Sequence, residues 1–359
     1  MIVGIIGCSG GIGKGIAEYL LGKKYTVYGV QRHRTDDLSE HENFRQMIFD
    51  ISDTEKLTEL ASECDMLINC VAPAYVYSHN IAVTAGKNDC IYLDLTDCIA
   101  ADELPEGGTY ITSCGYIPGL SAMIPKLIIE KHFDKAERAV LFQGGTELCS
   151  DRALADIIMS SEKSGYIDSY YRDGDIKKLI IDPRKRFELP LLGNEVFLKP
   201  YLSDEMAGFA KDTGISSLKW FNAYENISQF MFFIRLIGAV SSGDVEKLSA
   251  MTAAEREKRS SSGRALYSAM LGDIIGMKDG AEKCVRFILS FSDMNKICSL
   301  SAGITAEMIL TSDLGPGLYL GYQFADPEII SEIQERLCDS CELGISEVPV
   351  NSSFEDLFS

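Results

Sequence analysis

The chain has 359 residues, 46% hydrophobic and 24% charged, with 34 basic against 53 acidic residues and a net charge of −19. That length carries two domains and a large core, while the charge excludes a polyanionic nucleic acid as partner. No stretch approaches the ~20 consecutive apolar residues that a bilayer helix needs, so no membrane partner is expected.

The most apolar run, 230–240, contains Arg235 and reads as a buried helix. The chain begins directly with a strand, and no leader is expected before it. Eleven cysteines, odd in number and scattered, read as reduced thiols of a cytoplasmic protein. Cys338 and Cys341 form a single doublet without a second pair, so they read as incidental and no metal site is expected.

The first ~120 residues alternate strand and helix. A strand over 2–6 (Ile-Val-Gly-Ile-Ile) runs into a glycine-rich turn and a helix over 11–21. Strands follow over 25–30 and near 45–49, the latter ending at Asp50. Then come a helix over 54–62, a strand over 66–71, a helix over 78–86 and strands over 90–95 and 109–113. This predicts an α/β fold, a doubly wound parallel sheet with its ligand at the carboxyl ends of the strands.

Beyond it, apolar and β-branched segments (138–143, 166–171, 195–201, 217–224) alternate with helices (150–163, 203–212, 227–240, 244–257). Long strands near 266–277 and 281–291 flank Lys278-Asp279-Gly280, a hairpin turn. A second α/β domain with a mostly antiparallel sheet is expected over 121–293. The preceding 1–120 form the nucleotide-binding domain, with 294–340 packing back on it. Helices are expected over 294–311 and 327–337, with a break at Pro316-Gly317. The end, 344–359, is acidic, carries no base and reads as a loosely ordered tail.

The glycine turn predicts a ligand. Gly7, Gly10 and Gly13 give G-x-x-G-x-x-G, and Gly7, Gly11 and Gly13 give G-x-x-x-G-x-G. Glycines let the backbone approach a pyrophosphate, and the free N–H groups at a helix start hold the anion. Ser9 and Ile12 complete the loop. Position after a strand and before a helix favours a dinucleotide site over a plain packing turn. NAD sites place an acid at the end of the second strand for the ribose 2′-OH. Here Gln31-Arg32-His33-Arg34 stands instead. Two guanidinium groups, Arg32 and Arg34, suit a 2′-phosphate, so the expected cofactor is NADP (NADPH) rather than NAD. Asp37 is too far into the loop for the ribose. Asp50 stands where such domains meet adenine, or caps the next helix. The small turn Val71-Ala72-Pro73 admits the nicotinamide ribose, or is simply a turn.

The second glycine pattern suggests a short-chain dehydrogenase, which needs a Tyr-x-x-x-Lys beyond the fourth strand. That spacing occurs here at Tyr19 and Lys23, inside the first helix, where it cannot face a nicotinamide. Another set of segments is ordered: Ile68-Asn69-Cys70-Val71-Ala72-Pro73-Ala74-Tyr75, Ala85-Gly86 with Tyr92-Leu93-Asp94, Cys114-Gly115-Tyr116-Ile117-Pro118-Gly119-Leu120-Ser121, and later Ala302-Gly303-Ile304-Thr305-Ala306 with Pro316-Gly317. In these the chain resembles the saccharopine dehydrogenase-like NADP-binding reductases, well over 1–125, patchily over 290–330 and faintly between. The resemblance implies a Rossmann domain and an inserted α/β substrate domain. It also implies hydride transfer with NADP(H) at a carbon–nitrogen bond of an amino-acid-derived molecule. Lysine-pathway members often carry Asp before the crossover Pro-Gly; Ile117 stands here, which counts against saccharopine itself.

Hydride transfer needs a proton donor. Tyr75, Tyr77 and His79 follow the fourth strand, Asp94 and Asp97 the fifth, and Tyr116 the sixth; the candidates carried forward are Tyr75, Tyr116, His79 and Asp97. Aromatic packing, a surface position and helix capping are their plainer roles. In the second domain Arg152 could clamp a substrate carboxylate, while Trp220 and Phe221 read as core. An enoyl or carbonyl reductase on the same fold, and a non-catalytic NADP-binding sensor or scaffold, are the alternatives. The expected partner is a small-molecule substrate, and a homodimer is admissible.

Overall fold

The structure is a computed structural model. It describes the whole chain except residues 36–37, 100, 162–164, 244, 262, 264 and 359, and the side chains of Arg152, Ser160, Ser161 and Val245 also fall outside the description. The chain opens with β1 (Ile2–Ile6), α1 (Gly11–Gly22), β2 (Thr26–Gln31), β3 (Phe44–Ile48), α2 (Thr54–Glu63), β4 (Met66–Asn69), α3 (Ala74–Gly86), β5 (Ile91–Asp94), β6 (Thr109–Thr112) and α4 (Leu120–His132). There follow β7 (Lys135–Gly145), α5 (Asp151–Ser161), β8 (Gly165–Ile167), β9 (Ser169–Arg172), β10 (Asp175–Lys178), β11 (Phe187–Leu189), β12 (Gly193–Ser203), α6 (Asp204–Thr213), β13 (Ser217–Tyr224), α7 (Ile227–Ser241), α8 (Val245–Ser261), β14 (Ser268–Lys278) and β15 (Ala281–Phe291). The chain ends with α9 (Met294–Leu310), β16 (Gly317–Leu320), α10 (Pro327–Arg336) and β17 (Cys341–Val348).

Two compact units result. The first comprises Met1–Met123 and Asn295–Ile333; the second comprises Ile124–Met294 and Gln334–Ser359. The first unit is a seven-stranded sheet in the order β16-β6-β5-β4-β1-β2-β3, parallel at every pairing. Its central strands are apolar on both faces because helices cover both. Val3, Ile5, Met66, Leu67, Ile68 and Leu93 are wholly buried. One face gathers Ile6, Leu57, Leu60, Ile81, Ala82, Ala85 and Tyr92 in a single core. Helix α2 starts where Asp53 accepts a hydrogen bond from the Lys56 N–H at 3.2 Å, the expected effect of an acid at that position. Strand β16 corrects the reading of Pro316-Gly317 as a mere break. The chain resumes at Gly317, paired in register with Thr109 on β6.

The second unit is a ten-stranded mixed sheet whose main path runs β10-β9-β13-β7-β14-β15-β17. Among the described residues of this unit only β7 and β13 pair in parallel; the unit's other pairings are antiparallel. The β14–β15 hairpin turns on Asp279 and Gly280, both at positive φ (52° and 77°), the two-residue geometry that Asp-Gly favours. Trp220 and Phe221 are core.

The end of the chain is not a loose tail. Its alternating segment Cys341–Val348 pairs with β15 from Phe291 back to Cys284, and two short 3-10 turns then bring Phe354 into the core. Phe354 meets Phe142 edge to face at 5.3 Å, and Phe358 stacks on Phe221 at 4.6 Å. Asp273 holds the segment by accepting the Phe354 N–H at 2.7 Å, while Arg286 clamps Asp273 with two hydrogen bonds of 2.8 and 2.7 Å. Acidic composition suggested solvation; the paired aromatics outweigh it because each buries a large apolar area.

Candidate functional site

The glycine turn closes the carboxyl end of β1. Gly7 has φ +85°, a conformation that costs glycine nothing. Its N–H and that of Cys8 both donate to the Val30 carbonyl, at 3.0 and 3.3 Å, and Gly10 donates back to the Gly7 carbonyl at 3.0 Å. Gly13 is required by packing: a Cβ there would lie 2.4 Å from the Gly7 carbonyl oxygen. Helix α1 begins at Gly11 with no side-chain cap from Gly10 and no acid in its first turn. Its leading N–H groups and the positive end of its dipole thus meet no protein anion from the cap position. Ser9, Gly10 and Gly11 are exposed, and Ile12 is partly so.

Arg32 and Arg34 follow the end of β2 and are exposed. Their turn is pinned from two strands. Gln31 donates to the Thr35 hydroxyl at 3.0 Å, and Gln46 of β3 donates to the Thr35 carbonyl at 2.8 Å. Asp37 lies outside the described residues. The Asp50 carboxyl is held low by the Ser52 N–H, then by the Ser52 hydroxyl, with the Arg32 charge adding to both. It closes its own turn at 3.0 and 2.7 Å. The cap of α2 is Asp53, not Asp50.

Val71-Ala72-Pro73 joins β4 to α3, with a cis Ala72–Pro73 bond. This turn is adjacent to the glycine loop: a Cβ on Gly7 would sit 3.1 Å from the Cys70 carbonyl and from Val71 Cγ2. Behind it is a buried polar cluster. Asn69 donates to the Asp94 carboxylate and to the Ser78 hydroxyl, both at 3.0 Å, and accepts the Val71 N–H at 3.1 Å. The Asp94 carboxylate also takes a short hydrogen bond from the Tyr92 phenol, and bonds from the Thr96 N–H and hydroxyl at 2.8 and 2.9 Å. Burial, and then the Asp94 charge, push the Tyr92 phenol well above its ordinary range.

The proton-donor candidates divide by position. Tyr75 lies in the first turn of α3 and is partly buried; helix α3 starts at Ala74, so His79 falls in its second turn rather than at its start. The His79 Nε2 is 3.3 Å from Glu103. Tyr116 is buried in the crossover loop, whose Gly115 and Gly119 form a parallel bridge. A Cβ on Gly119 would lie 2.2 Å from the Gly115 carbonyl. Asp97 lies in the irregular segment after β5 and is no helix cap, because only a 3-10 turn (Ala101–Glu103) follows. Arg152 is in the first turn of α5 in the second unit, its side chain outside the description.

Sequence reasoning missed the second unit's own polar cluster. It forms where the parallel strands β7 and β13 end. Gln143 donates to Asn222 at 2.7 Å, the Tyr267 phenol donates to Glu225 in a short hydrogen bond, and Glu147 accepts the Ser268 hydroxyl at 3.1 Å and the Met294 N–H at 2.9 Å. Burial raises the Glu147 carboxyl, against the pull of those two donors. Among the described residues no group of three or more His, Cys, Asp or Glu could hold a metal ion. No described helix is long and apolar enough to cross a membrane.

The order β3-β2-β1-β4-β5-β6, with a glycine turn after the first strand and an uncapped helix start, defines a dinucleotide-binding α/β domain. Residues 3–113 match the family described as the saccharopine dehydrogenase NADP binding domain. In fold the chain is similar to saccharopine dehydrogenase (L-Glu forming) from Saccharomyces cerevisiae. That likeness covers 97% of this chain and 100% of the yeast chain, with a TM-score of 0.66 and 16% identity. Uncharacterized proteins of Mycobacterium tuberculosis and Mycobacterium bovis are 28% identical over 126 residues, 34% of this chain. The match spans 13% of those relatives' length.

Proposed function

We propose that the chain is an NADP-dependent oxidoreductase that moves a hydride to or from a carbon–nitrogen centre of an amino-acid-derived small molecule. The observation that carries the cofactor assignment is the pair of exposed guanidinium groups at the end of β2, where an NAD site would carry an acid. The residues present fit the group. The uncapped start of α1 suits the pyrophosphate. Arg32 and Arg34, on a turn pinned by Gln31 and Gln46, suit a 2′-phosphate as planar donor forks. The turn Val71–Pro73 and the end of β5 then flank the nicotinamide half.

The cofactor, when bound, supplies or takes the hydride. The protein's task is to orient the reacting carbon and hold a proton. We assign the proton to Tyr75 or His79, carried on the first two turns of α3 directly after the turn that flanks the nicotinamide. The carbon–nitrogen assignment is supported by the likeness to a saccharopine dehydrogenase fold; Ile117 before the crossover Pro-Gly counts against saccharopine as the substrate.

The test has two arms. Arg32→Ala with Arg34→Ala should weaken NADPH by about a hundredfold, because each guanidinium would make a charge-assisted hydrogen bond to the 2′-phosphate, and leave NADH nearly unchanged; equal losses would refute the phosphate clamp. NADPH oxidation is then screened against imines formed from α-keto acids and amines, with enoyl thioesters as the contrast set. Turnover of thioesters alone would replace the carbon–nitrogen reading with an enoyl reductase. Tight NADPH binding without turnover in either set would point to a sensor.

A further inference from the structure

The buried cluster behind the Val71 turn has no direct place in the reaction, and on energetic grounds alone it is a poor way to fill a core. Asn69, Ser78, Tyr92 and Asp94 are each at most 2% exposed, and a buried carboxylate carries a desolvation cost that its partners must offset. Apolar residues of the same shape would do as well for stability. What they could not do is fix backbone direction. Asn69 spends its carbonyl on the Val71 N–H and its amide on Asp94 and Ser78, so its carboxamide has one consistent orientation.

From Asp94 the bonds spread to the other segments at the carboxyl edge. Thr96 is held by its own N–H and hydroxyl. The Ser113 N–H donates to the Thr96 carbonyl at 2.9 Å, and the Cys114 N–H to the Asp94 carbonyl at 3.2 Å. The carboxylate–carboxamide pair therefore ties the turn after β4 to the turn after β5, and the main chain of Asp94 and Thr96 carries the tie on to the crossover after β6. The strand order puts all three on the β4-β5-β6 side of the sheet, the half that holds the nicotinamide mononucleotide when β1-β2-β3 holds the adenosine half.

We infer that Asn69 and Asp94 are positioning residues for the nicotinamide half of the cofactor, acting through the Val71–Pro73 turn and the 113–116 crossover. The inference rests on the NADP reading above. The probes are NADP+, which spans both halves, and 2′,5′-ADP, which occupies only the β1-β2-β3 half, each measured by calorimetric titration. Failure of the wild-type protein to bind either probe would defeat the NADP reading itself. With both bound, Asn69→Ala should weaken NADP+ by about tenfold, the scale of one lost orienting hydrogen bond, and leave 2′,5′-ADP within about twofold. The 2′,5′-ADP affinity also reports whether the variant is folded. Should Asn69→Ala not fold, Ser78→Ala removes one of the two acceptors that hold the carboxamide and keeps Asp94 in place; a smaller loss of NADP+ alone is then expected. Parallel losses of both probes would show a merely structural role and overturn the inference, as would NADP+ affinity unchanged in both variants.

Discussion

Gly13→Ala tests the foundation of the site, the close seat of α1 on the end of β1. The added methyl would lie 2.4 Å from the Gly7 carbonyl oxygen, about 1 Å inside ordinary contact, and 3.0 Å from Cys8 Cα. Both are backbone atoms, so no rotamer relieves the clash and the helix start must move by roughly that distance. Overpacking of this kind costs about 1–3 kcal/mol, and the upper part of that range applies because the clash is with backbone. The gain of about 1 kcal/mol for replacing a helical glycine offsets part of it. A net loss of about 2 kcal/mol should lower the melting midpoint by roughly 5 °C. The same displacement moves the leading N–H groups of α1, so NADP+ affinity should fall by about tenfold or more in calorimetric titration. Gly22→Ala, at the other end of the helix, meets nothing within 4 Å; it should leave affinity unchanged and stability equal or higher. Wild-type melting and binding in Gly13→Ala, or an equal loss in Gly22→Ala, would refute the reasoning.

Two further outcomes follow from the second unit. Phe354→Ala removes an aromatic side chain that is 5% exposed and should cost about 3–5 kcal/mol in denaturant unfolding; a loss under about 1 kcal/mol would mean that the end of the chain does not pack as described. The carboxyl of Glu147 is raised above the ordinary glutamate value because it is partly buried. Relative to the unfolded chain, the native state therefore binds this proton more tightly. Its contribution is full below the unfolded pKa and is lost as pH rises through the raised native value. Glu147→Gln should melt higher than the wild type at pH 7, with the gap closing toward pH 4; a gap that does not change with pH would contradict the sign.

The first unit was readable because its signals are local. Apolar strands end in glycine or small residues, and each strand and helix is complete within a short window, so the order of the elements follows from the sequence. What escaped depends on partners far along the chain. Strand β16 is four residues long and becomes a strand by pairing with β6, some two hundred residues earlier. The end of the chain reads as acidic and solvated until Asp273, Arg286 and the phenylalanines of the second sheet are placed around it. Within the site, the glycine loop and the arginine turn were visible as types at fixed offsets. The roles of Gln46, Ser78 and Thr96 were not, because a hydroxyl or amide shows its function only through what it touches. Asn69 did carry a signal, a polar residue ending the apolar strand Met66–Asn69, and that signal pointed to a buried partner without naming it.

Tyr19 and Lys23 make the same point about chemistry. Their spacing is the one that a short-chain dehydrogenase uses to lower a tyrosine pKa. Here Tyr19 donates to Glu307 at 2.6 Å and to Glu332 at 3.1 Å, and Lys23 pairs with the same two carboxylates at 2.9 and 3.4 Å. The ammonium also sits 5.1 Å over the Tyr19 ring. Burial, then the hydrogen bond to Glu307, pushes the phenol far above its ordinary value, because each neighbouring carboxylate disfavours a phenolate. Lys23 stays charged, its pKa raised by the hydrogen bond to Glu307, and the same two carboxylates that pair with it offset its pull on the phenol. The same two residues at the same spacing thus hold α9 and α10 against α1 within the first unit. Spacing proposes a catalytic pair; the sign of the surrounding charge decides whether it is one.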